Sequence, residues 1–224
     1  MEPNTSLSEQ LAAYKAGFAQ RAAPERVAMM EAATADLRAT GIESQALQVG
    51  AQVPDLTMPD ALNQPVRLST LWQQGPLVLI FYRGGWCPYC NLELRAWQQQ
   101  ADALQHLGSQ LVAVSPQTPD NSLSTAEKNA LAFPVLSDSA LQAATAFGVA
   151  FEMPPALIAL YTQAGNDLAV VNGNGRWVLP LPATYVIDRD GRIVYAHVEV
   201  DYRLRAEPAD VLAAVSAARD ASLI

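Results

Sequence analysis

The residues best equipped for chemistry lie in one short segment, Arg83-Gly84-Gly85-Trp86-Cys87-Pro88-Tyr89-Cys90, which holds the only two cysteines of the chain. A thiolate is a nucleophile. Two sulfurs three residues apart on one helical face can cooperate, because a mixed disulfide formed at one is resolved by the other. The first turn of a helix favours the thiolate through its unpaired N–H groups and the positive end of its dipole. Pro88 suits the opening of such a helix, where its missing N–H costs nothing. Two blander readings compete: an inert buried couple, and a zinc site shared between two chains. Gly84, Gly85 and Trp86 set the pair at a loop exit rather than inside an apolar run, which disfavours the first. A shared zinc needs further ligands, and the two histidines, His106 and His197, have no ligand spacing. Redox chemistry with no metal and no cofactor is the expectation.

Composition narrows the partners. Among 224 residues there are 14 Lys and Arg against 22 Asp and Glu, a net charge of −8, which argues against nucleic acid as a partner. Half of the residues are hydrophobic, enough for one substantial core. Two cysteines cannot build a disulfide framework. The opening residues are polar, without the apolar stretch of a secretory signal. The longest apolar runs, 77–82 and 156–161, fall far short of the roughly eighteen residues that span a bilayer. These features predict a cytoplasmic protein with no membrane contact, and a reducing compartment makes a vicinal thiol pair catalytic, redox-sensing or metal-binding rather than structural.

The elements that must position the pair follow from periodicity. Leu7, Leu11, Tyr14 and Phe18 form a helical stripe, and Val27, Met30 and Leu37 continue it after Pro24 as far as Gly41. Residues 1–48 are therefore read as a helical extension, used as a cap on the domain or as a homodimer contact, and residues 49–224 as the main domain. The run 77–82 is apolar on both faces, as a central buried strand is. After the cysteines, Leu94, Trp97, Ala101 and Leu104 predict one amphipathic helix stopped at Gly108, and 111–114 the next strand, giving a βαβ unit. Helices are expected over 118–131, 139–147 and from Pro208, and strands over 66–68, 133–136, 183–187 and 193–198. The stretch 150–181, with Pro154-Pro155 and Asn172-Gly173-Asn174-Gly175, is read as an insertion bordering the site; its glycines make turns, since no strand leads in and no Gly-Lys-Ser/Thr follows.

From about residue 50 to 218 the chain resembles the AhpC/TSA peroxiredoxin-like redoxins that carry a thioredoxin-style Cys-x-x-Cys. Trp86-Cys87-Pro88-Tyr89-Cys90 is similar to the thioredoxin Trp-Cys-x-x-Cys motif, and Leu181-Pro182-Ala183-Thr184-Tyr185-Val186-Ile187-Asp188-Arg189-Asp190-Gly191 resembles the strand and turn opposite it. The resemblance implies an α/β thioredoxin-like fold, with a central mixed β-sheet flanked by helices behind the N-terminal extension. It implies thiol–disulfide oxidoreductase or peroxiredoxin-like antioxidant activity, with a thioredoxin- or glutathione-type thiol reductant and a disulfide or peroxide substrate.

Two alignments assign the sulfurs differently. In the peroxidase alignment Cys90 attacks peroxide and Cys87 resolves the sulfenic acid. Glu93 then falls on the family's glutamate, while Cys87 replaces its threonine, Arg83 its proline and Pro182 its arginine, with Arg83 a candidate to compensate. In the thioredoxin alignment Cys87, the more exposed sulfur, attacks a disulfide and Cys90 resolves. Pro182 is then cis, and the chain before it pairs with an extended substrate. Trp86 and Tyr89 shape the rim in both, and Glu93 is a proton carrier or a favourable first-turn charge. Ser115, Asp201, Arg203 and Arg205 border the cleft without an assigned role. A third reading makes the pair a redox sensor that switches an interface instead of turning over.

Overall fold

The computed structural model describes residues 5–221. Two helices, α1 (Leu7–Arg21) and α2 (Pro24–Ala39), open the chain. Ser6 and Glu9 form a reciprocal cap on α1, Pro24 starts α2, and Gly41 follows it with φ 69° in the left-handed region. A small hairpin comes next, β1 (Thr57–Pro59) with β2 (Pro65–Arg67), and then the short α3 (Leu68–Trp72).

The central sheet starts with β3 (Leu77–Phe81), followed by α4 (Pro88–Gln98), α5 (Ala101–His106) and β4 (Gln110–Ser115). Beyond it come α6 (Pro119–Lys128), β5 (Val135–Ser137) and α7 (Gln142–Ala146). An inserted layer holds β6 (Ala150–Glu152), α8 (Pro155–Gln163), α9 (Leu168–Val171) and β7 (Val178–Pro180). The chain closes with β8 (Ala183–Ile187), β9 (Ile193–Val198) and α10 (Pro208–Ala221).

The five-stranded sheet has the order β5-β4-β3-β8-β9. β3 runs parallel to β4 and antiparallel to β8, so the sheet is mixed and β3 sits at its centre. That position explains its wholly apolar sequence, because both faces are covered. Leu77, Leu79 and Phe81 join Trp72, Phe147 and Tyr185 on one face. Val78 and Ile80 meet Trp97 with Val211 and Val215 of α10 on the other. The result is the thioredoxin-like α/β fold, with the cysteine segment leaving the C-terminal end of the central strand.

Several elements differ from their sequence pattern. The single helix expected from Leu94 to Gly108 is two, because Gln100 N–H bonds back three residues to Trp97 O and tightens the turn between α4 and α5. The helices expected over 118–131 and 139–147 are shorter, and the strand near 133–136 is shifted to β5. Residues 150–181 are more regular than their composition suggests, since β6 and β7 pair antiparallel and brace α8. The extension caps its own domain. Leu7 and Leu11 are buried against Tyr89 and Leu94 of α4, and the Glu207 carboxylate accepts the first N–H groups of α1, from Leu7 at 3.3 Å and Ser8 at 2.6 Å.

Candidate active site

Cys87 is the N-cap of α4 and Pro88 its first residue, the strand-to-helix junction that the motif predicts. The loop leading to it is tightly held. Gly84 has φ 143°, and a side chain there would collide with the Trp86 indole. The Gln117 side-chain oxygen accepts the Gly85 N–H at 2.7 Å. Asn91 Nδ2 donates to Gly85 O at 2.8 Å and Cys87 O at 3.1 Å, and Asn129 in turn donates to Asn91 Oδ1 at 2.9 Å. Amide side chains thus fix the loop and leave the sulfurs to their own surroundings.

Both thiols are free and buried, Cys87 at 1% exposure and Cys90 at 0%. Cys87 is therefore not the exposed sulfur that the thioredoxin alignment implies, because Tyr89, Trp86 and the N-terminal helices close over it. It does line a cavity of about 190 Å³, whereas Cys90 lies beneath it. Burial pushes the Cys87 thiol up. The Cys90 thiol, the Arg83 and Arg205 charges and the Cys90 N–H together outweigh that and hold Cys87 at about 6. Burial, the hydrogen bond it gives to Cys87 and the Cys87 charge push Cys90 well above the usual thiol range. The pair is thus polarised: one sulfur held as thiolate, the other as the thiol that donates to it.

Two arginines flank the pair. Arg83 is 2% exposed, not a surface residue. Its guanidinium lies 4.3 Å from the Tyr202 ring centroid and 5.0 Å from that of Trp86, and Nη2 donates to Tyr161 Oη at 2.9 Å. Arg205 holds the other side. It pairs through Nε with Glu93, donates from Nη2 to Cys90 Sγ at 3.2 Å, and is anchored by Nη1 on Tyr202 O at 2.7 Å and Leu204 O at 2.6 Å. Glu93 is wholly buried; burial lifts its carboxyl to about 7 in spite of the Arg205 charge. Glu93 is thus more than a favourable charge at a helix start, since it faces inward beside Cys90.

The expected sites fall into two groups. Cys87, Cys90, Trp86, Tyr89, Arg83 and Glu93 come together, and Pro88 marks the exposed start of α4. Pro182 is different. No peptide bond among the described residues is cis, so Pro182 is trans, and it lines a second cavity of about 340 Å³ whose walls do not include the cysteines. The chain before it is already paired: Pro180 lies opposite Ala150, and Leu181 N–H donates to Val149 O at 2.8 Å. With Leu181 fully buried, that segment presents no accessible backbone edge to an extended substrate. Sequence reasoning missed Tyr161, Tyr202 and Asn91, and it set Arg205 at the cleft without the role that its contacts with Glu93 and Cys90 give it. Only Asn91 carried a signal, one helical turn past Cys87. Among the described residues no cluster of three or more His, Cys, Asp or Glu could hold a metal, and no helix is long and apolar enough to cross a membrane.

A central mixed sheet with a polarised dithiol at the first turn of the following helix defines a thioredoxin-like redoxin. The AhpC/TSA family model matches residues 49–196, and the chain belongs to that family. It is 26% identical to thiol-disulfide oxidoreductase ResA of Geobacillus thermodenitrificans, over 67% of this chain and 70% of the relative. It is 31% identical to peroxiredoxin Bcp of Escherichia coli, over 46% of this chain and 65% of the relative. Among solved structures it is similar to peroxidoxin BcpB of Mycobacterium tuberculosis, with a TM-score of 0.60 and 24% identity, over 76% of this chain and 97% of that one. Relatives named as a thiol-disulfide oxidoreductase and as peroxiredoxins both match the chain, and the protein is a redoxin-type oxidoreductase.

Proposed function

We propose that residues 49–224 form a dithiol oxidoreductase in which Cys87 is the nucleophile and Cys90 the resolving thiol. The carrying observation is the asymmetry of the pair: Cys87 lines a cavity and is held at about 6, while Cys90 is sealed beneath it as a thiol. With a disulfide RSSR, the Cys87 thiolate attacks one sulfur, the S–S bond breaks, and the leaving RS⁻ takes up a proton. Cys90 gives its proton to Glu93 or solvent and attacks Cys87, the second RS⁻ leaves and is protonated, and a Cys87–Cys90 disulfide remains. An external thiol reductant returns the pair to the dithiol, in a reducing compartment such as the cytoplasm. With a hydroperoxide R'OOH the same thiolate attacks the terminal oxygen, the O–O bond breaks and R'O⁻ leaves and is protonated to the alcohol; the Cys87 sulfenic acid is then attacked by Cys90, water leaves, and the Cys87–Cys90 disulfide forms.

A second reading makes Cys90 the peroxide-attacking sulfur. It is favoured by one contact, the 3.2 Å hydrogen bond from Arg205 to Cys90 Sγ, which would stabilise a thiolate there. Single substitutions separate the two. The first reading expects Cys90→Ser to accumulate a mixed disulfide or sulfenic acid on Cys87, seen by mass spectrometry, and Cys87→Ser to be inert. The reverse pattern would establish the second reading and defeat the first. Redox-dependent size-exclusion profiles without turnover would point instead to a sensor.

A further inference from the structure

The chamber at Cys87 is walled on its outer side by the N-terminal helices, with Tyr14 and Phe18 from α1 and Arg26 and Met30 from α2. Tyr14 meets Tyr89 edge to face, with ring centroids 5.0 Å apart. The cover is fastened at several points. Glu207 holds the start of α1, Arg203 pairs with Glu31 at 3.4 Å, and Arg38 pairs with Glu199 at 3.1 Å. Beneath it Cys87 keeps only 1% of its surface.

A protein disulfide reaches a redox site on an extended main chain, which needs an open cleft and a free backbone edge beside the sulfur. Neither is present. The cleft is the roughly 190 Å³ chamber, and the backbone before Pro182 is paired at Pro180 and at the Leu181 N–H and is buried at Leu181. A larger cavity adjoins the chamber across shared walls. Met30, Arg83, Tyr161 and Tyr202 line both the chamber and the larger cavity of about 340 Å³, whose further wall is apolar, with Met29, Phe151, Met153 and Leu157. Methionine-rich walls adapt to apolar bodies of varied shape.

We propose that α1 and α2 act as a size filter, with Tyr14 and Phe18 setting its limit. The filter admits small organic oxidants, whose S–S or O–O bond reaches Cys87 while an apolar body lies in the larger cavity, and excludes protein disulfides. This rests on Cys87 as the attacking sulfur, and the chemical step is the one written above.

The test uses the full-length reduced protein and two independent readouts. In the first, Cys87 is labelled with iodoacetamide or with a polyethylene-glycol maleimide and followed by mass spectrometry. In the second, a dithiol reductant drives reduction of dibutyl disulfide or of insulin. The wild type should favour the small partner in both, and Tyr14→Ala/Phe18→Ala should shift both ratios toward the large partner by at least roughly tenfold. If that double variant does not fold, Glu207→Gln, which unfastens the start of α1, should move the ratios in the same direction. Equal labelling by both reagents, or insulin reduction as fast as that of dibutyl disulfide in the wild type, would overturn the filter. Size-selective labelling without turnover of either disulfide would retire the redox reading and leave the filter standing.

Discussion

Cys87 and Cys90 lie one helical turn apart and meet opposite surroundings. On the Cys87 side an arginine is caged by tyrosine and tryptophan rings beside the chamber that the N-terminal helices wall. On the Cys90 side an arginine is locked to a buried carboxylate and the sulfur is fully buried. Both arginines lower the Cys87 thiol, yet only Arg205 touches a sulfur, and that sulfur is the one kept protonated. A cation beside a thiol is therefore not enough to make it the nucleophile; burial and the neighbouring sulfur decide which of the two carries the charge.

The largest test of this contrast is Arg205→Ala. It leaves Glu93 buried without its partner, and breaking such a pair costs about 3–5 kcal/mol, to be read from urea unfolding. Arg83→Ala should cost less by the same measurement, because Arg83 leaves no buried carboxylate behind. Equal losses would erase the distinction between the two sides.

The pH dependence is the next test. The folded Glu93 carboxyl lies at about 7, above its usual 4.5, so the native state holds a proton that the unfolded chain releases between these values. Its contribution to stability is present at low pH and is lost as pH rises from about 4.5 to about 7. Glu93→Gln should flatten the stability profile in that window. A profile unchanged from wild type would contradict the buried placement of Glu93.

Arg83→Gln sharpens the comparison from the other side. Without that charge the Cys87 thiol should rise, slowing its alkylation most below about pH 6, where the thiolate is the minor form, and little above about pH 8. The pH profile of alkylation and the ultraviolet absorbance of the thiolate report it. A Cys90→Ser background confines the signal to Cys87. The smallest effect belongs to Pro88→Ala. Pro88 is exposed at the first helical position, and losing its restraint on the unfolded chain costs under about 1 kcal/mol.

What could be read from sequence was whatever a few consecutive residues determine. The central strand shows in its two-sided apolar run, the start of α4 in Cys87-Pro88, and the extension in the stripe from Leu7 to Phe18. The family motifs gave the fold. The second half of the site was illegible for a physical reason: it is assembled by contacts across the chain. Arg203 and Arg205 are two residues apart and chemically identical, yet Arg203 pairs with Asp201 at 2.6 Å near the surface and Arg205 turns inward to Cys90, 115 residues away. Nothing local distinguishes them. The burial of Cys87 is not legible for the same reason, because the helices that cover it come from the N-terminal extension, and Pro182 differs because the residues before it pair with β6.

The contact from Glu207 to the start of α1 joins residues 200 apart in sequence. A chain emerging from the ribosome cannot make it until α10 has been synthesised, long after the cysteines have emerged. The fastening that seals the redox pair is thus among the last acts of folding, and the nascent protein passes through a stage in which its thiols are less guarded than in the finished molecule.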